Sequence, residues 1–353
     1  IKLLYWSEDS QGRPERQSGL LCLPESRPGS ALKVPLLLLC HGTMVLRERV
    51  PSRQAASECV VAQVAAATGI AVVLPDYPGL GDSPGFHTYC QKTSLAHSAV
   101  DILRAAKAYI GGDESGRAWR LDDRFFIAGY SEGGYAAMAA LNELETQAKG
   151  EFPIEACYPM AGPFDMSGTM RVLMTGSDPI PSPYYLAFTV FGWRGNSGEL
   201  LDPSALLEDS YLRRLRPMFD GRTSGRLINQ AIAEMQGVKP GLAVAAAMLK
   251  PTVRAQLATP EGSALGLALL GVLRENDLYD WKADPSVTMT FMAAPRDELV
   301  PPINSTIAEA AMRARGATTR FIELKQTTHE KGGYEGYART VLDIWERLAM
   351  GYP

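Results

Sequence analysis

The chain has 353 residues, is 46% hydrophobic and 21% charged, and carries a formal net charge of −4. That balance is ordinary for a globular protein and ample for a buried core, and no basic surplus points to nucleic acid. No run of about 18 apolar residues marks a membrane-spanning helix, and the five cysteines fit no zinc spacing and no C-x-x-C.

Taken in chain order, Ile1–Asp9 and Gln17–Pro24 read as two strands joined by the turn-rich Ser10-Gln11-Gly12-Arg13-Pro14. The chain opens inside the first of them without a Met, so upstream residues are expected, with an exported protein's signal peptide among the candidates. Leu36–Cys40 is wholly apolar, as in a parallel sheet covered on both faces. Ser52 to Thr68 reads as a helix capped by Ser52 and stopped by Gly69. Ala71–Leu74 is a strand and Thr93–Ile110 a helix ended by Gly111-Gly112. Arg124–Ala128 is a strand, Gly134–Lys149 a helix, and Ile154–Met160 a strand.

Strand–helix alternation then stops and resumes at the strand Val287–Ala293, the helix Ile303–Arg315, the strand Thr319–Leu324 and the helix Arg339–Met350. Such alternation predicts a doubly wound, mostly parallel α/β sheet with right-handed crossovers. Five helix-length segments fill the gap, punctuated by Pro and Gly: Ser182–Gly192, Pro203–Phe219, Thr223–Gln236, Leu242–Leu257 and Ser263–Glu275. The expected organisation is a core of residues 1–163 and 285–353 with a helical insertion of residues 164–284. Cys22, Cys40 and Cys157 fall in apolar strands as buried thiols. Cys59 and Cys90 are placed on one side of the sheet, where a disulfide is feasible in an exported protein.

The chemistry centres on Arg124-Phe125-Phe126-Ile127-Ala128-Gly129-Tyr130-Ser131-Glu132-Gly133-Gly134. An apolar strand runs into G-x-S-x-G and then a helix rich in small residues. This pattern puts a serine on a sharp strand-to-helix turn, with Gly129 and Gly133 making room for the backbone. A nucleophilic Ser131 needs a base, and the base an orienting acid. Of the four histidines, His41, His87, His97 and His329, only His329 follows Ser131, as the order Ser–acid–His requires. It sits in a polar segment, Gln326 to Gly333, read as a loop after a strand. The acid belongs on the loop after the preceding strand, where Asp297 is the leading candidate and Glu298 its neighbour and rival.

With these residues the chain resembles the α/β-hydrolase family, and its serine esterases and lipases in particular. Two further stretches carry the resemblance. The strand ending in Cys40-His41-Gly42-Thr43 is similar to the one that delivers an oxyanion-binding loop, and Asp76-Tyr77-Pro78-Gly79-Leu80-Gly81-Asp82-Ser83 is similar to the turn after the family's fourth strand. The resemblance implies an oxyanion hole made of the backbone N–H groups of Thr43, with Met44 as the rival, and of Glu132. His41 and Asp76 are expected to shape their loops, Asp76 by accepting from backbone donors of its own turn. The H-G-G-G form of the oxyanion loop is absent.

The resemblance implies that the insertion after the sixth strand caps the active site. It further implies a Ser-His-Asp carboxylic-ester hydrolase acting on a hydrophobic small-molecule ester through an acyl-enzyme, with no metal or organic cofactor. A serine peptidase or amidase of the same fold is the alternative, for which no clear acidic patch is visible in the insertion. A non-enzymatic binding module would have no need of all three residues in this order.

Overall fold

A computed structural model of the chain describes residues 1–26, 31–112, 118–193 and 198–350. Eight strands form one sheet: β1 (Lys2–Glu8), β2 (Pro14–Cys22), β3 (Leu32–Cys40), β4 (Ala71–Pro75), β5 (Trp119–Tyr130), β6 (Ile154–Met160), β7 (Thr288–Ala293) and β8 (Thr318–Glu323). Their order is β1-β2-β4-β3-β5-β6-β7-β8. β1 pairs antiparallel with β2, and β2 antiparallel with β4; every other pairing is parallel. The chain thus has the mostly parallel α/β sheet that its alternation predicts, in the α/β-hydrolase arrangement that the resemblance implies.

The apolar runs are explained by double coverage. Along β3 the side chains of Leu36, Leu38 and Cys40 enter one core, and those of Leu37 and Leu39 the other, as the two-residue period of a strand demands. The first core lies under α2 (Lys92–Gly111) and α3 (Glu132–Thr146), the second under α1 (Glu58–Ala67) and α12 (His329–Met350).

Between β6 and β7 the described residues add no strand to the sheet. They form α4 (Arg171–Thr175), preceded by the wider turn Met166–Met170, then α5 (Tyr184–Gly192), α6 (Pro203–Leu206), α7 (Asp209–Leu215), α8 (Gly225–Gln236), α9 (Pro251–Ala258) and α10 (Ala264–Glu275). α11 (Ile303–Ala314) follows β7. The insertion seats on segments that follow the C-terminal ends of the parallel strands, two loops and the start of α11. Arg47 N–H donates to the Gly221 carbonyl, Trp193 Nε1–H to the Tyr89 carbonyl at 2.7 Å, and Asn304 Oδ1 accepts from Asp165 N–H at 3.2 Å.

Several sequence expectations are corrected. α1 begins at Glu58, not at Ser52: Pro51–Arg53 is a separate 3₁₀ turn, closed by Gln54 at φ 55°. The Ser52 N–H is drawn to Asp76 Oδ1 at 2.8 Å instead of opening a helix. The expected helix Pro203–Phe219 is three pieces, and Leu242–Leu257 is a 3₁₀ turn followed by α9, whose first residue is Pro251. α12 begins ten residues before the expected Arg339, so His329 stands at the start of a helix.

The Cys59–Cys90 expectation also fails. All five cysteines are free thiols, and Cys59 packs in the core on one face of the sheet while Cys90 packs in the other. The sheet itself separates them.

Candidate active site

Ser131 lies between the end of β5 and the start of α3, half-buried, at φ 60° and ψ −126°. A non-glycine residue rarely holds a positive φ, and such strain persists only where neighbours over-determine it. Those neighbours are visible. A Cβ on Gly129 would overlap the Gly133 carbonyl, one on Gly133 the Cys40 carbonyl, and one on Gly134 the Met160 carbonyl. The Ser131 N–H donates to the Met160 carbonyl at 2.9 Å, fixing the turn against β6. The glycine requirement read from the motif is therefore one of close backbone approach.

Asp297 lies on the loop after β7, where its Oδ1 accepts the N–H groups of Leu299 at 3.0 Å and Val300 at 2.8 Å. Its Oδ2 lies 2.7 Å from His329 Nδ1. A carboxylate only accepts, so Nδ1 carries the imidazole proton and Nε2 keeps a lone pair. Asp297 and His329 are each 7% exposed, so the bond works in a low-dielectric setting.

Glu298 has a different place. Its Oε2 accepts the His329 backbone N–H at 3.0 Å, meeting one of the free donors at the start of α12 and its positive dipole end. The two adjacent acids thus divide their work, one on the His329 ring and one on its backbone.

His329 is brought to the Ser131 turn by packing. The Tyr130 and His329 rings are 5.0 Å apart. Gly332 and Gly333 let α12 close on Tyr130; a Cβ on Gly332 would come within 2.6 Å of the Tyr130 hydroxyl. Residues that read as a loop are thus the contact that seats the helix.

The loop after β3 runs beside the same turn: a Cβ on Gly42 would lie 3.7 Å from the Tyr130 carbonyl. Thr43 follows, its hydroxyl buried. On the other side, Glu132 opens α3, and the first N–H groups of a helix have no partner within it. Glu132 follows Ser131 directly, and the loop that carries Thr43 passes beside the neighbouring Tyr130 through Gly42. His41 bridges the neighbouring loops, its ring nitrogens facing the Gly42 carbonyl at 2.7 Å and the Asp76 carbonyl at 3.2 Å. Asp76 departs from expectation. Besides Ser52 N–H it takes the Ser18 hydroxyl at 2.5 Å, so it ties β2 and the loop after β3 to β4 and serves no donor of its own turn.

Sequence reasoning missed one pairing. The Glu132 side chain, wholly buried, meets His87 Nε2 at 2.7 Å. No local signal points to it, because the two residues are 45 apart in sequence and His87 was passed over by chain order.

An apolar cavity of about 90 Å³ lies between the insertion and the core. Its lining includes Met166, Met170 and Met174, Leu299 and Val300, and Tyr89 and Tyr185. The two residues whose amides hold the Asp297 carboxylate are thus also part of the cavity wall. Among the described residues no helix is long and apolar enough to cross a membrane.

Residues 37–340 match the profile of the alpha/beta hydrolase family, and the chain belongs to that family. No curated protein sequence matches it. Among solved structures it is similar to a putative hydrolase from Legionella pneumophila, at 20% identity and a TM-score of 0.80, over 100% of this chain and 89% of that one. It is also similar to the rice cell wall degrading esterase LipA from Xanthomonas oryzae, at 21% identity and a TM-score of 0.77, over 99% and 89%. Candida antarctica lipase A in its closed state matches at 16% identity and a TM-score of 0.70, over 100% and 78%.

Proposed function

We propose that the protein is a serine carboxylic-ester hydrolase with Ser131 as nucleophile, His329 as base and Asp297 as the orienting acid. The observation that carries this reading is the 2.7 Å bond from His329 Nδ1 to Asp297, which leaves Nε2 as the acceptor, beside a serine held at a strained positive φ. Nε2 takes the Ser131 proton as Oγ attacks the acyl carbonyl, and Asp297 stabilises the resulting imidazolium. The N–H groups of Glu132 and Thr43 receive the oxyanion. The imidazolium protonates the leaving alcohol, and water attacks the acyl-enzyme by the same route. Two of the similar structures are an esterase and a lipase, which supports ester chemistry.

In this reading residues 164–284 are a cap, and the methionine-lined cavity takes the acyl chain. An apolar cavity of about 150 Å³ holds one benzene, so a cavity of about 90 Å³ corresponds in proportion to roughly four carbons. The substrate class is accordingly a small-molecule ester with a short apolar acyl group.

The test is hydrolysis of p-nitrophenyl esters from acetyl to palmitoyl by the wild type and by Ser131→Ala. Activity peaking near butyryl and vanishing in the variant supports the proposal. A folded protein inactive on every ester sinks it and sends the search to amides and peptides.

A further inference from the structure

Glu132 and His87 form a pair that the hydrolytic cycle does not itself require. Both are buried, at 0% and 3% exposure. His87 Nδ1 lies 2.9 Å from the Pro78 carbonyl, which can only accept, so Nδ1 carries a hydrogen. That leaves Nε2, 2.7 Å from Glu132 Oε1. A lone pair facing a carboxylate oxygen at that distance repels; a proton between them turns the contact into a short, strong bond. The pair is therefore joined by a hydrogen between Nε2 and Oε1. The other carboxylate oxygen, Oε2, is buried without a partner among the described residues. The titratable groups around Glu132 are the phenols of Tyr77, Tyr89, Tyr184 and Tyr185 and the Cys90 thiol, all pushed up by burial and so uncharged. Burying a bare carboxylate there would be costly.

His87 is itself clamped from two sides. Its ring lies 5.9 Å from Tyr77, near-parallel, and 5.5 Å from Phe188 of α5. A Cβ on Gly192 would come within 2.6 Å of its carbonyl. The pair thus ties the residue directly after Ser131 to the loop after β4 and to the helical insertion.

Resting on the ester-hydrolase reading, we propose that His87 and Glu132 are positioning residues that hold the Glu132 backbone N–H where the oxyanion develops. Oxyanion donors act by being fixed in advance. The peptide that carries this N–H follows a strained serine, so its orientation depends on an anchor, and the buried side-chain bond is that anchor. Neither side chain touches the substrate.

The test compares kcat and KM for p-nitrophenyl butyrate among the wild type, Glu132→Ala, His87→Phe and Glu132→Gln. Deleting an oxyanion donor outright costs on the order of 10²–10³ in kcat, so letting one drift is expected to cost on the order of 10–100-fold. Glu132→Ala and His87→Phe should show that loss in kcat, with KM within about threefold. Glu132→Gln should recover at least about tenfold over Glu132→Ala, because its carboxamide N–H donates to Nε2. Wild-type kcat in folded Glu132→Ala or His87→Phe overturns the proposal. So does a loss confined to KM, or a Glu132→Gln variant no better than Glu132→Ala. Should Glu132→Ala fail to fold, His87→Phe is read against Glu132→Gln by the same criteria. If the wild type itself neither cleaves esters nor is labelled at Ser131 by a fluorophosphonate, the ester-hydrolase reading fails first, and this proposal falls with it.

Discussion

Asp297→Asn offers the sharpest test of how the two neighbouring acids divide their roles. Asp297 Oδ1 accepts two backbone N–H groups, from Leu299 and Val300. In an asparagine only the carbonyl oxygen can take that place, so the amide nitrogen must face His329. It donates to Nδ1, the imidazole proton moves to Nε2, and the nitrogen that should accept the Ser131 proton no longer can. The same substitution in another serine hydrolase triad lowers kcat by about 10⁴. Four decades correspond to roughly 5.4 kcal/mol of transition-state stabilisation. The assay is kcat for p-nitrophenyl butyrate, with fold checked by circular dichroism.

Glu298→Gln is the control. Its carboxamide oxygen still accepts the His329 N–H, and only a charge at a helix start is lost, worth about 0.3–1 kcal/mol of stability. Its kcat should stay within about threefold of the wild type. An Asp297→Asn enzyme within about tenfold of the wild type, or a Glu298→Gln enzyme as impaired as expected for Asp297→Asn, refutes the reasoning.

Three other outcomes are expected. Gly133→Ala drives a Cβ into the Cys40 carbonyl, a backbone atom that cannot yield; urea unfolding should show at least the ~3 kcal/mol at the top of the overpacking range, and an unchanged midpoint would contradict it. Asp343 is pushed up by burial but held below the ordinary carboxylate range by Tyr158, Arg347 and Arg320, at 2.5, 2.8 and 2.6 Å. A value lowered on folding stabilises above the unfolded pKa and is lost as pH falls through the folded one. Asp343→Asn should therefore cost about 1–3 kcal/mol at neutral pH, with the gap to wild type closing in acid. Finally, burial pushes the Cys40 thiol up to about 12 and Cys59 to about 11. Thiol titration should therefore find only the half-buried Cys22 accessible in the native state and all five cysteines after denaturation.

The sheet was legible because its strands are apolar runs whose pattern reflects burial on both faces. The serine turn was legible because close backbone approach leaves glycine as the only residue that fits. The start of α12 was not. Gly332 and Gly333 each carry a helix-propensity cost near 1 kcal/mol, and what overrides it is the Tyr130 ring filling the space they leave. The break before α1 was equally hidden, since it turns on Asp76, in the turn after β4, claiming the Ser52 amide. Within the site, Ser131, Asp297 and His329 were singled out by order and spacing, and the structure joins Asp297 to His329. The bond between His87 and Glu132 is a tertiary event with no periodicity or motif to announce it.

The wall shared between the apolar cavity and the Asp297 loop limits how such a pocket can be remodelled. Leu299 and Val300 line the cavity and give their amides to the carboxylate. If the cavity takes the acyl chain as proposed, enlarging it at these two residues shifts the peptide groups that aim Asp297, and a gain in chain length should come with a slower catalyst. Met166, Met170 and Met174 carry no such second duty toward the acid. Their flexible thioethers are also the side chains that repack most readily. On the proposed reading, a library built to broaden the range of accepted acyl groups belongs on those methionines, with Leu299 and Val300 left intact.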